Sequence, residues 1–285
     1  MAPVQSSILF SNQKHAEGQW NTRSLQSGNR MVRFMASYLS FKRSGVDNLA
    51  QTVVSARFVL DAGAGKAAYS HWFIGRNALP CLIAADWSFE ALRGVGQPKK
   101  GRILRVCADL QKLPFKSGSI NALFSIDTLG HVPRVAEALD EFVRVCETNA
   151  PLFIHSECGN YRMRWPDRAL IAKVGKDIPA DYDGHCSLMR CEELYALFSQ
   201  RFIVRSFFSP AGYAGWLLGY PEKYRPAFTQ AGWRLLAMVA AVMEALKRIG
   251  VCRAGIKLLN ALTNHAEKYF GLSGGGSCFA TMRRP

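Results

Sequence analysis

The sequence predicts an α/β chain with a doubly wound, mostly parallel sheet. Two observations predict it. Between residues 57 and 156, five short apolar runs alternate with segments of helical periodicity, the pattern of right-handed βαβ units. The first of those runs ends in a glycine-rich turn, Asp61-Ala62-Gly63-Ala64-Gly65, where a strand would hand over to a helix. Hydrophobic residues make up 49% of the 285, enough for a full core in one large domain or a domain with an elaborated end.

The elements follow in order. In an N-terminal extension, 1–45, Met31, Phe34, Met35, Tyr38 and Leu39 recur at the spacing of one helix face, and Lys42-Arg43-Ser44-Gly45 reads as a basic helix end and stop. The central part, 46–160, carries strand candidates at Arg57–Asp61, Cys81–Asp86, Ile103–Ala108, Ala122–Ile126 and Leu152–Ser156. Helical patterns around Tyr69–Phe73, Ser88–Leu92 and Val135–Cys146 separate them. In the remaining part, 161–285, the polar stretch Arg162 to Gly184 with Pro166 and Pro179 reads as a cap insert. A helix over Met189–Phe198 and a strand over Phe202–Phe208 follow it. Two amphipathic helices at about 226–270, interrupted near Gly250 and Gly255, then lead to a final strand at Ser277–Met282.

Composition excludes several classes. The most apolar stretch, Leu235 to Leu246, is broken by Glu244 and falls short of the roughly 20 residues of a membrane span. The start, Met1 to Asn12, lacks the basic and apolar blocks of a signal peptide, so a cytoplasmic location is expected. None of the eight cysteines forms a Cys-x-x-Cys pair, and Cys186 and Cys191 have no histidine at zinc spacing. Free, buried thiols and no metal are therefore expected. The formal charge of +15 is concentrated at the ends. Residues 1–45 hold six Lys/Arg against Glu17, and residues 215–285 hold ten against three glutamates, whereas 46–214 is near balance with twenty against seventeen. Such flanks point to simple solubility or to an anionic partner: a phosphorylated substrate, an acidic membrane face or RNA.

The chemistry is expected at the strand ends. The turn after the first strand brings backbone close to a ligand, and Gly63, Gly65 and Ala68 also satisfy the Gly-x-Gly-x-x-Gly/Ala dinucleotide fingerprint. It is not a P-loop, because Lys66 is followed by Ala67 rather than Ser or Thr. Asp61 would repel a pyrophosphate at the neighbouring helix N-terminus and suits an ammonium-bearing ligand instead. Asp86, 25 residues beyond Asp61 and followed by Trp87, can accept both hydroxyls of a ribose, or can simply cap the helix that starts near Ser88. Asp109, ending the third strand, can accept from an adenine amino group while Leu110 packs on the ring.

In their order and spacing these segments resemble class I S-adenosylmethionine-dependent methyltransferases, most nearly the methyltransferase type 11 subgroup. The segments are Phe58-Val-Leu-Asp-Ala-Gly-Ala-Gly65, Ala85-Asp86-Trp-Ser, Asp109-Leu-x-x-Leu-Pro-Phe115 and Leu129-Gly-His131-Val132, and the resemblance covers roughly 55–160. It implies a Rossmann-like seven-stranded sheet whose last strand, supplied by Ser277–Met282, is antiparallel, with a helical cap. It also implies S-adenosylmethionine as cofactor, with Asp61, Ala62, Gly63 and Gly65 at its methionine part. Asp86 and Trp87 would then lie at the ribose, Asp109 and Leu110 at the adenine, and Asp127 near the sulfonium. Two positions depart from the family pattern: Ala67 stands where a third glycine is usual, and Glu147-Thr-Asn149-Ala150-Pro151 replaces a Pro-Gly-Gly turn.

Methyl transfer to an oxygen is the expected reaction, with nitrogen and carbon acceptors open. A hydroxyl or protonated amine acceptor benefits from a base. His131, His155, His185 and Glu157 are candidates by topology, with His131 placed first and His185 second. The aromatic residues Tyr213, Trp216, Tyr220, Tyr224 and Trp233, with Arg225, Arg234, Lys247 and Arg248, suit either packing or an amphipathic, anionic, lipid-like acceptor. The same basic amphipathic helices could rest peripherally on an anionic membrane. The alternatives are an RNA methyltransferase, motivated by the basic flanks, a non-catalytic methyltransferase-like binding protein, and a nicotinamide oxidoreductase.

Overall fold

The computed structural model describes residues 40–53, 56–76, 81–210, 212, 214–270 and 275–285. The helical pattern expected over Met31 to Leu39 lies outside them. The chain divides into two compact units, one made of 37–160, 187–212 and 264–285, the other, in its described part, of 161–186 and 214–263.

The first unit holds the sheet. Its elements are α1 (Phe41–Thr52), β1 (Val59–Ala62), α2 (Ala68–Arg76), β2 (Leu82–Asp86), α3 (Phe89–Arg93), β3 (Ile103–Cys107) and β4 (Ala122–Ile126). Then come α4 (Val135–Val145) and β5 (Pro151–Glu157), and later α7 (Cys191–Arg201), β6 (Ile203–Phe208) and β7 (Ser277–Arg283). The strand order is β3-β2-β1-β4-β5-β7-β6. The first five strands pair in parallel, and β7 runs antiparallel between β5 and β6. This is the seven-stranded Rossmann-like arrangement with one reversed strand. The order reverses between β1 and β4, and in such sheets the ligand crevice lies outside the carboxyl ends of the strands at that point.

Alternation along the strands divides the core. Leu60, Ile83, Leu123, Leu152 and Ile154 face one side, where Leu139 and Phe142 of α4 and Leu194 and Phe198 of α7 cover them. Val59, Leu82, Phe124 and Phe153 face the other, against Val46 and Leu49 of α1, Phe73 of α2 and Leu92 of α3. A sheet covered on both faces explains why β1, β2 and β4 are buried at every position and read as continuous apolar runs.

Two sequence expectations are corrected. Lys42-Arg43-Ser44-Gly45 does not end a helix; it forms the first turn of α1. Gly45 is there for closeness, since a Cβ would lie 2.0 Å from the Phe153 ring. Nor does Gly255 interrupt a helix, as it sits within α10 (Gly250–Tyr269). Three helices rather than two fill this stretch, the others being α8 (Pro221–Gln230) and α9 (Arg234–Arg248). The breaks fall at Gly232, in the left-handed region with φ 75°, and at the extended Ile249.

The second unit also contains α5 (Asp167–Val174) and α6 (Ile178–Asp183). Its core is Leu170, Tyr224, Ala227, Phe228, Ala231 and Ala240, with Trp216 and Trp233 packed against it. Tyr224 donates to Asp167 at 2.7 Å, and Lys223 is ion-paired with Asp183. All eight cysteines are free; Cys146 is buried as expected, but Cys107, at the end of β3, is exposed. Among the described residues, no helix is long and apolar enough to cross a membrane.

Candidate functional site

The β1–α2 turn is built by close approach. Gly63 has φ 83°, and a Cβ on it would lie 2.2 Å from the Thr128 side chain. Only glycine lets the turn pass beneath the segment that follows β4. The backbone N–H groups of Gly63 and Ala64 donate to the Ala85 carbonyl at 2.8 and 3.0 Å, which ties the turn to β2. Thr128 Oγ1 bonds back to the Ile126 carbonyl at 3.1 Å, and Ser125 Oγ donates to the Ala62 carbonyl at 2.8 Å. Main chain of β1, β2 and β4 is thereby gathered at one end of the sheet.

Asp61 is 3% exposed, and Ser70 Oγ of α2 donates to it at 2.6 Å. Burial first, then the negative charge of Asp86, push its carboxyl up to about 7, partly offset by the Ser70 bond. Such a group is half-charged near neutrality and gains from any cation brought beside it. Asp86 accepts from the Gly65 N–H on one oxygen and from the Ser88 N–H on the other, both at 2.8 Å. It therefore holds the glycine turn and the start of α3 together. Trp87 beside it is 46% exposed.

Asp109 is exposed just beyond β3 and accepts from the Gln111 N–H and side-chain amide, each at 2.9 Å. Leu110 is buried at 6% exposure. The segment after it is gripped by α4. Glu141 accepts from the Leu113 N–H at 2.6 Å, while Arg144 donates to the carbonyls of Leu113 at 2.9 Å and Phe115 at 2.7 Å. A polar pair on a helix otherwise facing the core thus positions the Leu-Pro-Phe segment.

A second cluster forms at the ends of β4 and β5. Asp127 has a left-handed backbone, φ 57°. Lys42 Nζ, from α1, donates to both its oxygens at 2.6 and 2.5 Å, and His155 Nδ1 lies 2.8 Å from Oδ1. Burial would raise the Asp127 carboxyl, but Lys42 and then His155 outweigh it, and the group is held well below the usual carboxylate range. Glu157 shares a hydrogen bond with Asp127; burial and then the Asp127 charge push its carboxyl well above the usual range. Burial and then Lys42 lower the His155 imidazole, which is 2% exposed.

Of the residues expected at the site, the structure thus joins Asp61, Ala62, Gly63, Gly65 and Asp86 through bonded main chain and carboxylates, with Asp127 one residue from Thr128. Asp109 and Leu110 lie beyond the neighbouring strand β3. His131 closes a 3-10 turn, Leu129–His131, by donating its N–H to the Thr128 carbonyl at 2.9 Å. That turn is anchored by Ser187, whose Oγ and N–H donate to the Leu129 and Gly130 carbonyls. His185 belongs to the other unit, where its N–H closes α6 on the Ala180 carbonyl. Sequence reasoning missed Lys42, Ser70 and Thr128. Lys42 had a signal: it precedes Val46 by four residues and so lies on the face that α1 buries.

Comparison with known proteins now bears on this end of the sheet. Residues 60–154 match the methyltransferase domain family of the type 11 group. A chloroplastic methyltransferase of Arabidopsis thaliana, itself uncharacterised, is 30% identical over 95 residues. That match covers 30% of this chain and spans only 27% of the length of that protein. A candidate sarcosine dimethylglycine methyltransferase from Galdieria sulphuraria shares the fold with a TM-score of 0.54 at 10% identity, over 96% of this chain and 98% of that one. A geranyl diphosphate methyltransferase, solved with its diphosphate substrate and sinefungin, gives 0.50 at 10% identity, over 85% and 76% of the two chains. Both structural likenesses are of fold.

Proposed function

We propose that the chain is an S-adenosylmethionine-dependent methyltransferase acting on a small-molecule or lipid-like acceptor, a reading supported by the match of residues 60–154 to the methyltransferase domain family. The observation that carries this reading is the buried Asp61 carboxyl beside a turn in which a Cβ at Gly63 would clash. The donor set fits the cofactor: a cradle of bare backbone, a carboxylate with a proton affinity near neutrality for the amino-acid ammonium, and Asp86 at the end of β2 for the ribose hydroxyls. Asp109 and Leu110 offer an acceptor and an apolar platform for the base.

When bound, the cofactor supplies an electrophilic methyl group on a sulfonium. The chain's own part is to orient, to exclude water and to take up a proton. Asp61 and the Gly63–Gly65 backbone hold the amino-acid end. Asp127, whose carboxyl Lys42 holds well below the usual carboxylate range, places negative charge at the β4 end. For an oxygen acceptor, His131, in the turn after β4, is the first candidate to take the proton. His185 keeps the second place among the base candidates. The acceptor class is supported by the aromatic and basic composition of the second unit.

Calorimetric titration with S-adenosylhomocysteine, with NADH as control, tests the reading. The homocysteine product should bind and NADH should not; absence of the first or presence of the second sinks the proposal. Asp86→Ala should weaken binding by about 2–3 kcal/mol, the loss expected for charged hydrogen bonds. An unchanged affinity in the folded variant would place the ribose elsewhere. Bound cofactor without turnover on any acceptor would favour the non-catalytic alternative.

A further inference from the structure

Helix α9 is amphipathic in the inverted sense. Its inward side, Leu236, Ala237 and Ala240, packs on the core of the second unit. Its acidic and basic interior residues are tied on that side as well. Glu244 is ion-paired with Arg225 at 2.8 Å, and Lys247 with Glu222 at 2.9 Å while also donating to the Gly219 carbonyl at 2.7 Å. What faces out is apolar: Leu235, Met238 and Val242 are 68%, 58% and 54% exposed at the i, i+3, i+7 spacing of one stripe, and Ile249, just past the helix, is 55% exposed. An ordinary surface helix presents charges to water and apolar residues to the core.

We propose that this outward face of α9 docks on an anionic lipid bilayer. Charge complementarity selects that occupant. Between 234 and 263 five cations, Arg234, Lys247, Arg248, Arg253 and Lys257, stand against Glu244 alone. Arg234 and Arg248 flank the stripe at its two ends, both exposed. Glu244 is already engaged by Arg225 and Arg248. Leu235, Met238, Val242 and Ala245 include no hydrogen-bonding side chain by which a protein partner would be positioned, whereas an apolar stripe about 15 Å long with cations beyond its ends fits the boundary between acyl chains and phosphate headgroups. The inference does not rest on the proposed reaction.

The test is co-sedimentation of the full chain with vesicles of phosphatidylcholine and with equimolar phosphatidylcholine and phosphatidylserine. The chain should pellet with the phosphatidylserine vesicles and be released by salt. Replacing both flanking cations, Arg234→Ala with Arg248→Ala, should lower partitioning about fivefold per cation, or about 25-fold for the pair. Met238→Asp and Val242→Ser, both at exposed positions, should each reduce it while leaving the circular dichroism spectrum and S-adenosylhomocysteine binding unchanged. No pelleting, equal pelleting with neutral vesicles, or full binding by the variants would overturn the proposal. So would a dimer abolished by Val242→Ser, which would give the face to a second copy. Because cofactor binding is read in the same preparations, failure here is distinct from failure of the methyltransferase reading.

Discussion

Ala67, Asp127 and Asn149 adopt left-handed backbone angles, φ 56°, 57° and 64°, which for a residue with a Cβ cost about 1–2 kcal/mol. Aspartate and asparagine tolerate that region better than most residues; alanine has no such excuse. Ala67 stands where the family that the sequence resembles has a third glycine, Asn149 lies in the turn that replaces its Pro-Gly-Gly, and the backbone bends at both all the same. Asp61 stores a different cost. Its carboxyl titrates near 7 in the folded chain and near 3.8 when unfolded, so the native state binds that proton more tightly. Stability should be highest below about pH 4, fall as pH rises towards 7, and level off above, losing about 4 kcal/mol in all. Asp61→Asn should flatten this dependence and exceed the parent in urea midpoint at pH 8, while losing affinity for S-adenosylhomocysteine. Parallel pH profiles for parent and variant would mean that Asp61 ionises freely. In the parent, cofactor affinity should rise through pH 7 as the carboxylate forms.

Among the elements, α1 shows how a helix can be seated by a missing side chain. Gly45 lets it lie on the Phe153 ring, Trp72 Nε1 of α2 donates to Asp47 at 2.8 Å, and Arg43 covers the Trp72 ring at 4.4 Å. That seat delivers Lys42 to Asp127. Alanine favours a helix over glycine by about 1 kcal/mol, yet Gly45→Ala should destabilise the chain by about 1–3 kcal/mol, because the added methyl would overlap Phe153. Chemical unfolding measures this directly, and a stabilised variant would show that α1 is not pressed on the sheet. A loss of stability relieved by Phe153→Leu would locate the clash.

For the molecule as a whole, the crevice end of the sheet is assembled from strands far apart in the chain, so a ligand there should resist global unfolding of the sheet unit. At a hundredfold excess over its dissociation constant, S-adenosylhomocysteine should contribute about 2.7 kcal/mol, raising the thermal midpoint by about 5–10 °C. Scanning calorimetry checks the shift. None at saturating ligand would show that ligand binds outside the cooperative sheet unit.

Local pattern by itself determined the strands, because each had to be a short apolar run between turns, and it determined the acids at their ends, because a carboxylate closing such a run is conspicuous. The doubly wound sheet and the methyltransferase segment followed from that order. Tertiary structure alone decided how those acids behave. Nothing in the run around Asp86 says that both its oxygens receive backbone N–H groups, and nothing near Asp127 announces Lys42, 85 residues earlier. Gly45 reads locally as a stop signal, whereas Phe153, more than a hundred residues away, makes it a contact. Periodicity reports which face of an element is apolar, but α9 has apolar residues on two sides, and only the packing of Leu236, Ala237 and Ala240 on the core of the second unit tells the inner from the outer. Desolvation, ion pairing and close approach depend on distances between elements, and those distances exist only once the chain has folded.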